Sequence, residues 1–328
     1  MWRIISLILI NFISVLVHAQ ELFPDAEPAS TVPKGVFGYR LMHKSFQETS
    51  SYRIKNWYGI RVMYGITSKW TISTTLGISN HHFQKFPTDI YNYFFNHHLN
   101  IYPAPGYHIE GLNFYTKYRF FSLDKHHQHL RLAVFGEGCK SFIAHDDAEP
   151  TLMTDNSGVG VGLIATYLYE RFAVSLTGGY LKPFKYYQSN IDITFKSGNS
   201  AYMELSTGYR IWPAAYSSYS DFNINFYAEF MFKEYGAAKV EQYGVPVDFA
   251  YYSQSYPYAY LQLKQNAYID SRFYLQLIEN SNSRFDLGFA IPLVSRSYTY
   301  WGPMFLVQYQ TYLYNDKKKV KNKPISSR

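Results

Sequence analysis

Between Trp57 and Ile78 the chain alternates twice around one tight turn, and nothing else in the sequence constrains the fold as much. Tyr58, Ile60, Val62 and Tyr64 alternate with Gly59, Arg61, Met63 and Gly65. After the turn, Trp70, Ile72, Thr74, Leu76 and Ile78 alternate with Thr71, Ser73, Thr75, Gly77 and Ser79. A period of two sustained this long means paired strands with unlike faces, one apolar and aromatic, the other small, polar or charged. A soluble sandwich alternates too. The class is therefore decided by whether the pattern recurs and by the medium that its apolar face meets.

The N-terminus bears on the medium. Residues 1–19, MWRIISLILINFISVLVHA, place one arginine before an apolar run and end in Val17-His18-Ala19. That is the pattern of a secretory signal peptide cut after Ala19, and the run is short for a spanning helix. Cys139 is the single cysteine, so no internal disulfide supports an exported chain. Aromatic residues make up 20% of the sequence, with 34 Tyr and 25 Phe. Tyrosine suits a boundary where the ring lies in apolar surroundings and the hydroxyl in water, as at a membrane interface. The net charge of +7 is concentrated in residues 315–328, which hold Lys317, Lys318, Lys319, Lys321, Lys323 and Arg328 against Asp316. The body of the chain is near neutral and gives no support to nucleic-acid binding.

The alternation recurs. Strands are expected at 35–46, on either side of Thr67-Ser68-Lys69 within 52–80, and at 112–121, 129–140, 157–168, 172–181, 200–211, 222–233, 268–278, 284–294 and 302–314. The residues 182–199 and 234–265 read as long connections, with an extra strand considered at Tyr258–Lys264. Connections after the second, fourth, sixth, eighth and tenth strands are short; those after the third, fifth, seventh and ninth are long. Outer-membrane barrels have this order, with the turns in the periplasm. Backbone polar groups in lipid must be paired internally, so a spanning sheet has to close. The expected fold is all-β: a transmembrane antiparallel up-and-down barrel of about twelve strands. It would occupy residues 34–314 of an outer-membrane protein, with a periplasmic linker at 20–33 and a basic, disorder-prone tail at 315–328.

Four stretches carry a resemblance: YGITSKWTI (Tyr64–Ile72), KYRFF (Lys117–Phe121), GYRIWP (Gly208–Pro213) and NINFYAEF (Asn223–Phe230). They look like bacterial outer-membrane barrels of the phenol-degradation meta-pathway (MetA-like) transporter or porin family. The resemblance implies a channel in the outer membrane and, through the family's association with aromatic solutes, a small aromatic or anionic cargo. It assigns no residue as a solute ligand.

Charge on a lipid-facing wall costs about 2–4 kcal/mol at mid-membrane, which forces charged strand residues inward. The lumen-lining candidates are Arg40, Arg61, Lys117, Arg119, Arg131, Glu137, Glu204, Arg210, Asn223, Asn225, Tyr227, Glu229, Asp270, Arg272 and Asp286. Bases dominate the second, fourth and fifth strands and acids the eighth to eleventh. A field across the lumen follows, with a bias toward anions or neutral aromatic solutes; if the two walls touch, they shut the barrel instead. Histidines cluster at His81-His82, His97-His98 and His108, and at His126, His127 and His129. Neighbouring His on a strand point to opposite faces, and no Cys or ordered acid spacing accompanies them, so no metal site or cofactor is expected. His43 and Ser45 stand two apart on one face, the spacing of a lipid-modifying barrel enzyme, but the sequence shows no orienting partner and no catalytic residue is assigned. The expected partners are outer-membrane lipid and a small solute. The alternative function is an adhesin or structural barrel acting through its long loops.

Overall fold

A computed structural model describes residues 23–48, 54–80, 106–143, 156–189, 191–215, 221–247, 266–295 and 301–314. The expected signal peptide, His81, His82, His97, His98, the Tyr258–Lys264 strand and the basic tail lie outside these residues.

The strands in chain order begin with β1 (Phe37–Glu48), β2 (Ile54–Thr67), β3 (Trp70–Ser79), β4 (His108–Lys125), β5 (Gln128–Ser141), β6 (Gly158–Tyr169) and β7 (Phe172–Pro183). Two short strands follow, β8 (Tyr186–Gln188) and β9 (Ile193–Lys196), then β10 (Ser200–Trp212) and β11 (Asn223–Tyr235). Another short pair, β12 (Lys239–Gln242) and β13 (Val245–Pro246), precedes β14 (Asn266–Glu279), β15 (Ser283–Ser295) and β16 (Trp301–Leu313).

Twelve of these close into one antiparallel barrel in chain order, with β1 sealed between β2 and β16. Phe37 lies opposite Tyr64 on one side and Leu313 on the other. The start of β1, the end of β16 and the tight turns therefore share one rim, called here the turn end. Two-residue connections join β4 to β5 and β6 to β7, and each holds a non-glycine residue in the left-handed region, His127 (φ 56) and Glu170 (φ 49). At the opposite rim, β8, β9, β12 and β13 form a separate four-stranded sheet from two of the long connections. The sequence predicts no strand at 182–199, because segments of two to four residues are too short to show a period.

The outward face is apolar all round. Val161 is 61% exposed and Leu163 60%, with Leu41, Phe114, Leu205, Phe289 and Phe305 also bare. Inward positions are buried although many are charged or polar. This inversion is the arrangement of a barrel in lipid, where the outside has to match hydrocarbon and the inside is polar. Small inward residues make room for large ones on the neighbouring strand. A Cβ added at Gly288 would lie 2.3 Å from Tyr274 Cδ1, and one at Gly208 2.2 Å from Tyr227 Cε1. Leu163→Arg, at the middle of β6, is expected to lower the free energy of refolding into lipid vesicles by about 2–4 kcal/mol. Denaturant titration of the refolded barrel measures this, and an unchanged midpoint would contradict a lipid-facing β6.

Candidate functional site

The lumen is occupied by the chain itself. Residues 23–33, the described part of the stretch 20–33 expected as a periplasmic linker, run inside the barrel, and Phe23, Ala26, Ala29 and Val32 are all buried there. The correction has a physical origin: a proline-broken arm has no periodicity to read, and its place is set by contacts with distant strands. Phe23 packs edge-on against Tyr227 with ring centroids 5.4 Å apart, beside Ala173, Tyr274, Ala290 and Leu306. Ala29 sits against Ala133, Phe135 and Ile164. Val32 closes the turn end with Val36, Met63 and Tyr312. Gly65 lets the exit of the segment lie on β2: a Cβ there would be 2.1 Å from the Pro33 carbonyl oxygen, which is backbone and cannot swing aside.

Two acids anchor the segment. Asp25 Oδ2 is 2.5 Å from Arg272 Nη1 and 3.5 Å from Lys44 Nζ. Glu27 meets the Arg61 guanidinium and, at 3.2 Å, Lys117 Nζ. Backbone groups are satisfied as carefully. Arg40 donates to the Pro24 carbonyl at 3.3 Å, and Lys117 to that of Pro28 at 2.7 Å. The Ala26 amide donates to Glu229 at 3.3 Å, the Ala29 amide to Thr166 Oγ1 at 2.8 Å and the Val32 amide to Thr71 Oγ1 at 2.8 Å. Arg131 Nη1 donates to Ser30 Oγ at 2.9 Å. An irregular segment tolerates burial only when its backbone is paired in this way.

Burial by itself would raise both carboxyl pKa values. For Asp25 the charges of Lys44, Arg272 and Arg40 outweigh it and hold the group well below the ordinary 3.8. For Glu27 the charges of Lys117, Arg61 and Arg40 hold it well below the ordinary 4.5. A depressed carboxyl stabilises the docked state above its free pKa and loses that contribution as pH falls through the lowered value. The contribution of these two acids to docking is therefore fully present between pH 8 and 5 and is lost only in strong acid, below both ordinary values. Conductance recorded across that range checks this; opening between pH 7 and 5 would contradict it.

The predicted lining residues divide by place. Arg40, Arg61, Lys117, Arg131, Tyr227, Glu229 and Arg272 touch the segment directly, through the contacts above. Arg119 lies at the turn end, donating to the Ser68 carbonyl at 2.9 Å. Arg210, half-buried near the same rim, is opposite Asn225 in the ladder, and Asn225 donates to Gln276 at 3.2 Å. Asn223 is buried at the start of β11. Asp286 is fully buried 3.3 Å from Arg284 Nε, and Asp270 is 3.8 Å from Arg272 Nη2. Glu137 and Glu204 line a cavity of about 180 Å³ floored by Asp25 and Glu27. Asp25 and Glu27 of the segment stand against bases from both sides of the wall, Lys44, Arg61 and Lys117 on one and Arg272 on the other. Asp25, Glu27, Lys44, Lys233 and Arg284 were not foreseen as site residues. The excess of bases on β2, β4 and β5 was the available signal, since buried cations need counter-charge.

His43 Nε2 lies 3.1 Å from Asn56 Oδ1, and its ring stacks on Tyr58. Among the described residues no hydrogen bond joins His43 to Ser45. Among the described residues no group of His, Cys, Asp and Glu is placed to hold a metal ion.

No protein-family model and no curated protein matches the chain. Among solved structures it is similar to the COG4313 outer membrane channel from Pseudomonas putida F1, at 12% identity and a TM-score of 0.54, over 89% of this chain and 100% of that one. The NanC porin matches at 10% identity and a TM-score of 0.43, over 83% of this chain and 100% of that one. The outer membrane protein OprD from Pseudomonas aeruginosa matches at 9% identity and a TM-score of 0.37, over 90% and 98%. At such identities the first likeness establishes a shared fold, a closed antiparallel β-barrel.

Proposed function

We propose that the chain is exported, cut after Ala19 and inserted in the outer membrane as a channel for small solutes, with its turn end in the periplasm and its lumen held shut by residues 23–33. The observation that carries this reading is the way the lumen is filled. Its wall is polar and mixed in charge, and the obstruction is a non-strand segment held by ion pairs and single hydrogen bonds. A barrel built only as a scaffold can close on its own wall side chains and needs no such insert. The fold shared with an outer membrane channel supports the same reading, as does the sequence resemblance to MetA-like transporters. An aromatic or anionic cargo is the finer part of the proposal, supported by the wall cations and by Tyr115, Tyr227 and Tyr274 on the inner face.

Swelling of proteoliposomes in small neutral sugars and amino acids tests it. The intact chain is expected to admit them slowly, and a chain lacking residues 23–32 quickly. Equal impermeability of both would overturn the channel reading. Fractionation of the intact protein with any compartment other than the outer membrane would overturn the location.

A further inference from the structure

The cavity above the segment contains more than an unblocked stretch of pore. Its charged lining comprises Asp25, Glu27, Glu137 and Glu204 against Lys44, Arg61, Lys233 and Arg272. Asp25 and Glu27 are committed to Arg272, Lys44 and Arg61. What remains is one cation and two carboxylates. Lys233 meets no carboxylate within 4.0 Å among the described residues; its Nζ instead lies over the Tyr202 ring at 5.8 Å and the Tyr235 ring at 5.9 Å. Glu204 is 6% exposed, its Oε1 accepts no hydrogen bond, and its nearest cation is Arg272 Nη1 at 3.8 Å. Glu137 has only a long contact of 3.5 Å from Asn113 Nδ2. A buried carboxylate with an unmet acceptor is costly unless something fills it.

The surrounding wall is shaped to hold these groups. Tyr202 faces Lys233 across β10 and β11, and Tyr115 faces Glu137 across β4 and β5. Phe135 stacks on Tyr115 at 5.3 Å, and the buried Tyr115 hydroxyl has no partner. Three inward glycines let the side chains lie flat. A Cβ at Gly160 would be 2.9 Å from Glu137 Cγ, one at Gly162 2.4 Å from Phe135, and one at Gly179 2.4 Å from Tyr202. At roughly 30 Å³ per water, the cavity of about 180 Å³ holds a molecule of amino-acid size.

We propose that this cavity is a binding subsite for a small zwitterion, whose carboxylate pairs with Lys233, whose ammonium pairs with Glu204 and Glu137, and whose apolar or aromatic body lies on Tyr115 and Phe135. The inference rests on the channel reading, since it names what pauses in the lumen on the way through. Both ligand charges are needed. An anion alone leaves Glu137 with only Asn113 and Glu204 with only the 3.8 Å contact to Arg272, and a cation alone leaves Lys233 without a carboxylate.

Isothermal titration of the full chain, refolded in detergent micelles, tests it with three probes of similar size: L-phenylalanine, 3-phenylpropanoate and phenethylamine. Phenylalanine is expected to bind, and each singly charged analogue to bind roughly tenfold or more weakly, the worth of one charged hydrogen-bonded contact. Lys233→Met should abolish the preference over phenethylamine, and Glu204→Gln should reduce the preference over 3-phenylpropanoate. Absence of heat with phenylalanine, equal affinity for the three probes, or tightest binding of either singly charged probe would overturn the proposal. The probe series on the unaltered chain keeps the test valid if a variant fails to refold. Binding is read without conduction, so a barrel that binds phenylalanine but passes no solute retains the subsite and loses the channel.

Discussion

Removing residues 23–32 should raise the single-channel conductance of the refolded barrel by about tenfold or more and make its current anion-selective. The first effect is steric. The segment fills the middle of the lumen, where Phe23, Ala26 and Ala29 are within 1% of complete burial. Its loss leaves only side chains to obstruct the pore. The second effect is electrostatic. Glu27 neutralises Arg61 and Lys117, and backbone carbonyls of the segment satisfy Arg40 and Lys117. Without them Arg40, Arg61 and Lys117 face an open lumen, while Arg131 keeps Asp124 at 3.0 Å. Arg272 keeps Glu204 and Asp270 at 3.8 Å and contributes less to the excess. A wall with bases in excess attracts anions and repels cations, more strongly at low salt because the screening length rises above about 10 Å below 0.1 M. Reversal potentials under a salt gradient give the sign. Cation selectivity, or a conductance equal to that of the intact chain, would show that something else closes the barrel.

The wall of this barrel was legible in the sequence because each strand reports its own faces. Arg61 between Ile60 and Val62, or Glu229 between Ala228 and Phe230, points inward on period alone, and the lipid penalty leaves no other choice. Strand ends followed from the same alternation: the reading at 172–181 became Phe172–Pro183, and that at 284–294 became Ser283–Ser295. The segment in the lumen was not legible that way. QELFPDAEPASTVP has no period, and its prolines and acids are also the composition of a solvated arm. Its position is a property of the whole charge set: Arg61 on β2 and Lys117 on β4 meet one acid of the segment, and Lys44 on β1 and Arg272 on β14 meet the other. Asp25 and Glu27 are two residues apart and separate to different partners, one toward β1 and β14, the other toward β2 and β4. Only the closed barrel brings those strands to face a common centre. Of the cavity residues, Glu204 is among the inward charges read from the sequence and Lys233 is not. Each is an ordinary charge on its own strand, and what distinguishes them is how weakly the closed barrel pairs them: Glu204 at 3.8 Å from Arg272, Lys233 with aromatic rings alone.

Glu27→Ala is expected to destabilise the docked state by about 3–5 kcal/mol, the cost of breaking a buried pair from one side. Glu27 is the acid shared by Arg61 and Lys117, which are 6% and 1% exposed. Neither cation is left bare: Arg61 Nε still donates to Thr75 Oγ1 at 2.9 Å, and Lys117 Nζ to the Pro28 carbonyl at 2.7 Å. Neutral acceptors replace only part of a carboxylate's stabilisation of a buried cation. The system can relieve the remaining strain by letting water reach both cations, and the direct route is departure of the segment, since the strands are fixed by their ladders. The loss should therefore register twice, as a lower denaturant midpoint and as longer open times in single-channel records. Lys117→Met in the Glu27→Ala background removes one of the two stranded cations and should restore part of the midpoint, whereas Lys117→Met alone leaves the Glu27–Arg61 pair in place and should cost less than Glu27→Ala. That non-additivity is the signature of a shared acid. Additive losses would mean that Glu27 and Lys117 act independently, and a Glu27→Ala barrel as stable and as closed as the parent would mean that apolar packing around Phe23, Ala29 and Val32 suffices to keep the segment in the lumen.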